Sequence, residues 1–232
     1  MKTVLLIPVR NEVETIGALV TAALNFVDKI IVDEGGSTDG TMRALREIWQ
    51  TLPDPSVLTI AGRPVGAPPL SWIINDKAWL GELMADGYFC LATMDAGGTH
   101  NPEDLPGLQD YISGAGVVAL GTRDFSTGGA PWYRRALSYV AGRLIGVPDA
   151  TCGFRAYNMY WLLKMPHLYN KTGFDFHLPY LVLLRRVVGE AFAAHPVPIE
   201  YKVVGRSSLR FKTLFQVLWA GIQVSLRRVE VY

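Results

Sequence analysis

Short apolar runs alternate with amphipathic segments through the first half of the chain, and turns rich in Gly, Asp and Ser follow most of the runs. Such runs predict buried strands, whereas apolar residues spaced three and four apart predict helices. Strands that alternate with helices build an α/β fold with a mostly parallel central sheet and helices on both faces. The predicted strands are residues 3–9, 29–32, 57–60, 88–94 and 117–120.

Capping residues predict where the intervening helices begin. Asn11 is expected to cap the first helix, with Glu14 at the capping-box position. Asn101 is expected to cap a later helix, with Pro102 as its first residue. Between these two, the apolar residues of 72–83 predict one continuous helix.

The composition limits the class of protein. A chain of 232 residues, half of them hydrophobic, is long enough for one domain with a substantial core. We expect a domain over residues 1–205 and an amphipathic extension over 206–232. A formal net charge of +1 gives no reason to expect nucleic acid as a partner.

Cysteine usage and hydropathy indicate where the protein acts. The two cysteines, Cys90 and Cys152, provide neither a disulfide framework nor a four-ligand zinc site, which is typical of a reduced compartment. No segment reaches the roughly 18 uninterrupted apolar residues of a membrane span. We therefore expect a cytoplasmic protein.

The segment after the fourth predicted strand is rich in polar groups and glycine. It reads Asp95-Ala96-Gly97-Gly98-Thr99-His100. Open α/β sheets bind ligands at the carboxyl ends of their strands, so an acidic group beside flexible backbone here indicates a nucleotide-diphosphate site. His100 has two interpretations, a metal ligand or a packing residue of the turn.

Five segments lie at or near predicted strand ends or in the loops that follow. They are Pro8-Val9-Arg10-Asn11-Glu12, Gly36-Ser37-Thr38-Asp39-Gly40-Thr41, residues 95–103, Gly121-Thr122-Arg123 and Asp149-Ala150-Thr151-Cys152-Gly153-Phe154-Arg155. In this order they resemble the motifs of family 2 glycosyltransferases of the dolichol-phosphate mannosyltransferase type. The resemblance covers residues 5 to about 209, and it implies a GT-A type nucleotide-diphospho-sugar transferase fold.

The resemblance also implies a binding site for the donor. Pro8, Arg10 and Glu12 match the segment around the nucleoside, although Arg10 stands where the family has tyrosine. Arg10 retains a planar group that stacks on a base. The paired aspartates of the family appear as Asp33-Glu34 followed by an extra Gly35, and Asp33 is the expected nucleoside contact. Ser37 and Asp39 have the alternative of capping the next helix.

For the diphosphate, the resemblance implies Mg²⁺ or Mn²⁺ held by Asp95, with Ala96 and Gly97 beside it. The usual Asp-Ala-Asp is here Asp95-Ala96-Gly97, so one carboxylate is missing. Thr99 stands where the family often has glutamine. We therefore expect weak binding of the divalent ion unless the nucleotide-sugar is present.

At the acceptor end, Asp149 matches a family aspartate and is expected to act as a base or to orient the acceptor. Arg123 and Arg134 match positions that hold phosphate oxygens, for which a guanidinium is suited. The further residues expected to bind the acceptor phosphate are Arg155, Lys202 and Arg206. Asp149 has the alternative of capping a local turn.

The apolar residues of 214–226 repeat at helical spacing, and Arg210, Lys212, Arg227 and Arg228 flank them. This pattern is typical of an interfacial helix against anionic lipid and also of a helix packed on the core. The first interpretation predicts a cytoplasmic enzyme that is peripheral at the membrane.

The resulting prediction is the transfer of mannose or glucose to a polyprenyl (dolichyl) phosphate at the cytoplasmic face of a membrane. GDP-mannose or UDP-glucose is the expected donor. Two alternatives stay open at this point. One is the same donor with a soluble hydroxyl acceptor, and the other is a degenerate, non-catalytic nucleotide-binding protein.

Overall fold

The computed structural model describes residues 1–67, 69–123, 132–147, 149–166, 177–189 and 192–199. Within these ranges the strands are β1 (Lys2–Val9), β2 (Lys29–Glu34), β3 (Leu58–Gly62), β4 (Tyr88–Thr93), β5 (Val118–Arg123), β6 (Arg155–Asn158) and β7 (Ala194–Ile199). The α-helices are α1 (Ile16–Ala23), α2 (Thr41–Thr51), α3 (Ser71–Ile74), α4 (Lys77–Ala85), α5 (Leu105–Ser113), α6 (Trp132–Ile145), α7 (Met159–Lys164) and α8 (His177–Val188). Two 3₁₀ turns, Pro55–Val57 and Pro102–Asp104, precede β3 and α5.

The seven strands of the described part form one sheet in the order β3-β2-β1-β4-β6-β5-β7. The pairs β1 with β2, β1 with β4, β2 with β3, and β5 with β7 are parallel. Strand β6 runs antiparallel to both β4 and β5. Because β6 is reversed, the loop that precedes it lies at the same edge as the loops that follow β1, β2, β4 and β5.

Side chains alternate between the two faces of the sheet and bury a core on each. On β1, Leu5 and Ile7 pack with residues of α1, α2 and α5. Val4 and Leu6 of the same strand pack with residues of α3, α4, α7 and α8 on the opposite face. The predicted sheet with helices on both faces is therefore confirmed.

Two of the three predictions on the helices were wrong. Helix α1 begins at Ile16, after Thr15, and not next to Asn11. The predicted helix over 72–83 is divided into α3 and α4, because the Asp76 carboxylate accepts a hydrogen bond from the Trp79 N–H and starts a new helix. The third was confirmed in part, since the Asn101 side chain caps the 3₁₀ turn that begins at Pro102, whereas α5 begins only at Leu105.

Both cysteines are buried and free. Burial raises the pKa of Cys90 and of Cys152 to about 12. Among the helices that the structure describes, none is long and apolar enough to cross a bilayer.

Candidate active site

The loop after β1 is fastened to the loop before α2. Asn11 adopts the left-handed conformation, with φ 57°. Its side-chain oxygen accepts a hydrogen bond from the Thr38 N–H at 2.8 Å, and its own N–H donates to the Ser37 hydroxyl at 3.0 Å. The Asp39 carboxylate accepts from the N–H groups of Val13 and Thr41, at 3.2 and 3.0 Å. These bonds give Ser37 and Asp39 a role in joining the two loops. Neither residue is the N-cap of α2, which is Gly40, so the expected capping by these two residues was wrong.

Arg10 lies at the end of β1 with its side chain exposed. Its guanidinium makes no hydrogen bond to any residue that the structure describes. Pro8, two residues earlier, lies beside Asp33 in the parallel register of β1 and β2. The first two strand ends are thus adjacent, as a shared nucleoside site requires.

Asp33 is completely buried at the end of β2. Its carboxylate accepts hydrogen bonds from Arg63 Nε at 2.9 and 3.1 Å, from the Leu70 N–H at 2.7 Å and from Trp72 Nε1 at 3.0 Å. Arg63 Nη2 also donates to the Asp33 carbonyl at 3.1 Å. The Asp33 carboxylate therefore fixes the position of Arg63, and the nucleoside contact predicted for Asp33 stays a prediction.

The extra glycine of this chain makes room for Arg63. A Cβ atom on Gly35 would stand 2.8 Å from Arg63 Nη1 and 3.2 Å from the Val9 carbonyl oxygen. The guanidinium therefore lies between the ends of β1 and β2, and its Nη1 makes no hydrogen bond to a described residue. Glu34 faces its own turn, where its carboxylate accepts from the N–H groups of Gly36 and Ser37 at 3.0 and 2.6 Å.

The Asp95 segment follows β4, the other neighbour of β1. Asp95 is exposed, and its carboxylate lies against Gly153, on which a Cβ would stand 2.8 Å from Asp95 Oδ1. Ala96 is buried, and its carbonyl accepts from the Thr15 hydroxyl at 2.8 Å. A Cβ on Gly97 would lie 3.6 and 3.7 Å from the two carboxylate oxygens of Glu12. Burial raises the pKa of Glu12, and the negative charges of Asp39 and Asp95 raise it further.

This arrangement fits a hard divalent cation. Carboxylate oxygens are the protein ligands that Mg²⁺ and Mn²⁺ prefer, and such ions take further ligands from substrate phosphates and water. Asp95 makes no hydrogen bond to a described residue, so its oxygens are available to an ion. Within the described ranges no group of three or more His, Cys, Asp or Glu side chains is arranged around one point. The diphosphate would therefore have to supply a large share of the ligands.

His100 is buried in a packing environment. Its ring stacks on Phe154 with the centroids 5.2 Å apart, and its Nε2 lies 3.8 Å from the sulfur of Cys152. A buried imidazole between an aromatic ring and a thiol fits the interpretation of His100 as a packing residue of the turn.

Asp149 and Arg123 form a buried pair at the end of β5. Arg123 Nε and Nη2 donate to the two carboxylate oxygens at 2.7 and 2.9 Å. The hydroxyl of Ser138 and the N–H of Thr151 also donate to Asp149 Oδ1. Burial alone would raise the pKa of Asp149, but the hydrogen bonds and charge of Arg123, with those of Ser138 and Thr151, lower it to about 2. A carboxylate in this state is a poor proton acceptor.

Arg155 is also completely buried. Its guanidinium donates to the carbonyl oxygens of Cys152 and Ala150, both at 2.6 Å, and to the Tyr157 hydroxyl at 3.2 Å. These bonds support the loop before β6, and the acceptor contact predicted for Arg155 stays a prediction. Arg134 lies on α6 with its side chain outside the described part, and Lys202, Arg206 and the extension 206–232 also lie outside it.

Several curated relatives match this chain. Polyprenol monophosphomannose synthase of Mycolicibacterium smegmatis is 29% identical over 250 residues, which are 99% of this chain and 90% of the relative. Undecaprenyl-phosphate mannosyltransferase of Micrococcus luteus is 31% identical over 174 residues, 68% of this chain and 66% of the relative. The chain is a family 2 glycosyltransferase. No protein-family model matches it.

The glycosyltransferase also resembles solved structures. Glucosyl-3-phosphoglycerate synthase of Mycobacterium tuberculosis, in complex with Mn²⁺, UDP and phosphoglyceric acid, superposes with a TM-score of 0.66. The likeness covers 97% of this chain and 77% of that one, at 17% identity. At this identity the likeness establishes the fold, which is the predicted GT-A fold.

Sequence reasoning missed Arg63, Trp72 and Thr15. Arg63 lies in a loop rich in Gly and Pro, 30 residues from Asp33 in sequence, and no motif marks it. The extra Gly35 was a signal, because an added glycine at a strand end indicates that something packs closely there. The ligand roles predicted for Pro8, Arg10, Glu12, Asp95 and Gly97 stay predictions.

Proposed function

We propose that this glycosyltransferase moves a hexose, with mannose as the first expectation and glucose as the second, from a nucleotide-diphosphate sugar to a polyprenyl phosphate at a membrane surface. The names of both curated relatives support the acceptor and the sugar. One of these relatives matches nearly the full length of the chain.

The state of Asp149 is the observation that carries this proposal. A neutral hydroxyl acceptor needs a general base with a pKa near the working pH, whereas Asp149 has a pKa of about 2 and both of its oxygens are hydrogen-bonded. A phosphate acceptor is already an anion at neutral pH and attacks the anomeric carbon without losing a proton. The site therefore favours a phosphate acceptor over a neutral hydroxyl compound, and the names of the relatives support a lipid as the carrier of that phosphate.

In this mechanism the chain contributes position and charge. The backbone N–H groups beside Asp95 bind the diphosphate, and a divalent cation held by the Asp95 carboxylate would neutralise the leaving group. The pair of Arg123 and Asp149 fixes the loop 149–153 beside the acceptor. Arg10 and Arg63 contact the nucleoside.

The outer face of α6 supports a membrane surface as the place of reaction. Arg135, Tyr139 and Arg143 follow one another at intervals of four residues and are exposed, and Val140 beside them is 46% exposed. Helix α6 contains no acidic residue. Such a face suits anionic headgroups. We propose that it acts together with the amphipathic extension 206–232.

The transfer assay uses purified protein, Mn²⁺ or Mg²⁺, and radiolabelled GDP-mannose or UDP-glucose, with a polyprenyl phosphate in detergent. We expect a labelled, organic-extractable product from one donor. Label found only in water-soluble glycosides would support the hydroxyl acceptor, and nucleotide binding without turnover on any acceptor would contradict both.

The membrane contact is tested separately by flotation with anionic vesicles. The double variant Arg135→Glu/Arg143→Glu should float markedly less than the wild type at low salt, yet retain transfer to a short, water-soluble polyprenyl phosphate. Equal flotation of the two proteins would place the membrane contact elsewhere.

A further inference from the structure

We propose that Glu12 supplies the carboxylate that is missing at Gly97, so that Asp95 and Glu12 together hold the divalent cation of this enzyme. The inference rests on the proposed function in one respect, the binding of a nucleoside diphosphate at the ends of β1 and β4. It does not depend on the acceptor or on the sugar.

The position of Glu12 is set by the sheet. Strands β1 and β4 are parallel neighbours, with Leu6 beside Thr93. Glu12 follows the end of β1 and Asp95 follows the end of β4, so both lie at the same edge. A Cβ atom on residue 97 would lie 3.6 and 3.7 Å from the two carboxylate oxygens of Glu12. Glu12 thus places its carboxylate where the second aspartate of the family would project.

The backbone around Glu12 is fixed without help from its side chain. The Glu12 N–H donates to the Thr41 hydroxyl at 2.9 Å, and its carbonyl accepts from the N–H groups of Thr15 and Ile16 at 3.1 and 3.0 Å. The Thr15 hydroxyl joins this turn to the Ala96 carbonyl at 2.8 Å. The turn and the Asp95 segment are therefore held together before any ion binds, which lowers the cost of assembling a site.

Four other acids in the described part of this edge already have partners. The carboxylates of Asp33 and Asp149 are paired with arginines, and those of Glu34 and Asp39 accept two or more hydrogen bonds each. Glu12 makes no ion pair within the described part of the chain, and its one side-chain contact is the Thr15 hydroxyl at 3.5 Å.

Asp95 has no hydrogen-bond partner among the described residues. Glu12 and Asp95 are thus the two acids of this group with oxygens available to a cation.

Two carboxylates from separate strand ends leave most of the coordination sphere to the diphosphate and water. This explains why a chain with Gly97 can retain a metal site and why its affinity should depend on the nucleotide. It also predicts that an aspartate at 97 would strengthen the site. Gly97 does not have a positive φ, and the contacts of an added Cβ are ordinary, so the position accepts a side chain.

The test measures Mn²⁺ binding by electron paramagnetic resonance, with GDP and with UDP in parallel, and also without nucleotide. Glu12→Gln should weaken nucleotide-supported Mn²⁺ binding at least tenfold. Gly97→Asp should tighten binding without nucleotide. The double variant Glu12→Gln/Gly97→Asp should return to within about threefold of the wild type, because the aspartate replaces the lost carboxylate. Glu14→Gln, an exposed change in the same turn, should bind like the wild type.

Nucleotide affinity in EDTA separates a metal ligand from a nucleoside contact. Glu12→Gln should leave this metal-free affinity unchanged. Three results would each overturn the inference. Glu12→Gln could bind Mn²⁺ as tightly as the wild type, it could lose the same nucleotide affinity with and without metal, or Gly97→Asp could fail to restore its Mn²⁺ binding. A rescue pattern as expected, in a protein that fails to glycosylate any lipid phosphate, would support the metal site and refute the proposed acceptor.

Discussion

Two aspartate–arginine pairs lie at the same edge of the sheet and differ in how much water reaches them. Asp33 and Arg63 meet at 2.9 Å, and the arginine side chain keeps 13% of its surface exposed. Asp149 and Arg123 meet at 2.7 Å, and their side chains are 2% and 4% exposed. The first pair holds an arginine between the ends of β1 and β2, and Nη1 of that arginine makes no hydrogen bond to a described residue. The second pair is enclosed within the loop before β6.

The difference predicts a role in ligand binding for the first pair and a structural role for the second. A guanidinium that is anchored through Nε and Nη2 still presents Nη1 to a ligand, so the Arg63 pair can strengthen binding. A pair whose atoms are enclosed contributes mainly by keeping its surroundings in one arrangement. The variants below test this contrast, in order of expected effect.

Arg123→Ala should cause the largest loss of stability, about 3–5 kcal/mol, because it leaves the Asp149 charge buried without its cation. Urea unfolding followed by circular dichroism measures the loss. Arg123→Ala/Asp149→Asn should recover part of it, since the stranded charge is then gone. A single variant as stable as the wild type would mean that water reaches Asp149.

Arg63→Ala should cost less stability, about 1.5–3 kcal/mol, because Asp33 retains its bonds from Leu70 and Trp72. Unlike the change at Arg123, it should also weaken metal-free binding of GDP or UDP, which calorimetry measures. Arg63→Lys keeps the charge but loses the planar guanidinium, so its nucleotide affinity should lie between those of the wild type and Arg63→Ala. Unaltered nucleotide affinity in both variants would show that Arg63 acts only within the loop.

The decline of the unfolding free energy at acid pH should depend on the buried pair of Asp149 and Arg123. The pKa of Asp149 is lowered from 3.8 to about 2. Its contribution is therefore present above about pH 4 and is lost as the pH falls toward about 2, and it amounts to about 2 kcal/mol. Asp149→Asn should flatten the decline in unfolding free energy between pH 4 and pH 2. Asp110→Asn, at an exposed carboxylate, should not, and equal curves for both variants would contradict the assignment.

Arg10→Ala should have the smallest effect on stability, no more than about 0.5 kcal/mol, because the side chain is exposed and makes no hydrogen bond to a described residue. It should nevertheless weaken nucleotide binding, and Arg10→Tyr should restore it by stacking on the base. A nucleotide affinity that is the same in all three proteins would exclude Arg10 from the nucleoside site.

The sequence predicted the parallel part of the sheet because its strands are long apolar runs followed by distinctive turns. It gave no sign of β6 or β7. Strand β6 has only four residues and lies inside a motif, and β7 contains Pro196 and Pro198, which normally argue against a strand. A strand at the edge of a sheet tolerates proline, and β7 is the last strand in the order.

The motif residues lie together at one edge of the sheet, as the sequence predicted, but the motifs did not indicate which acids carry partners. Asp33 and Glu34 are adjacent in sequence, yet one faces Arg63 and the other its own turn. Burial and hydrogen bonding of this kind depend on residues 30 to 40 positions away, such as Arg63 and Trp72, and no local pattern encodes them.

The two buried thiols make this chain convenient for spectroscopy. The thiolate is the reactive form of cysteine, so thiols with a pKa of about 12 react very slowly with maleimide dyes at neutral pH. Both native cysteines can therefore stay in place during labelling. A single cysteine introduced for the fully exposed Val65, two residues from Arg63, would then carry one fluorophore beside the proposed nucleoside site. Its emission would follow each binding event in real time.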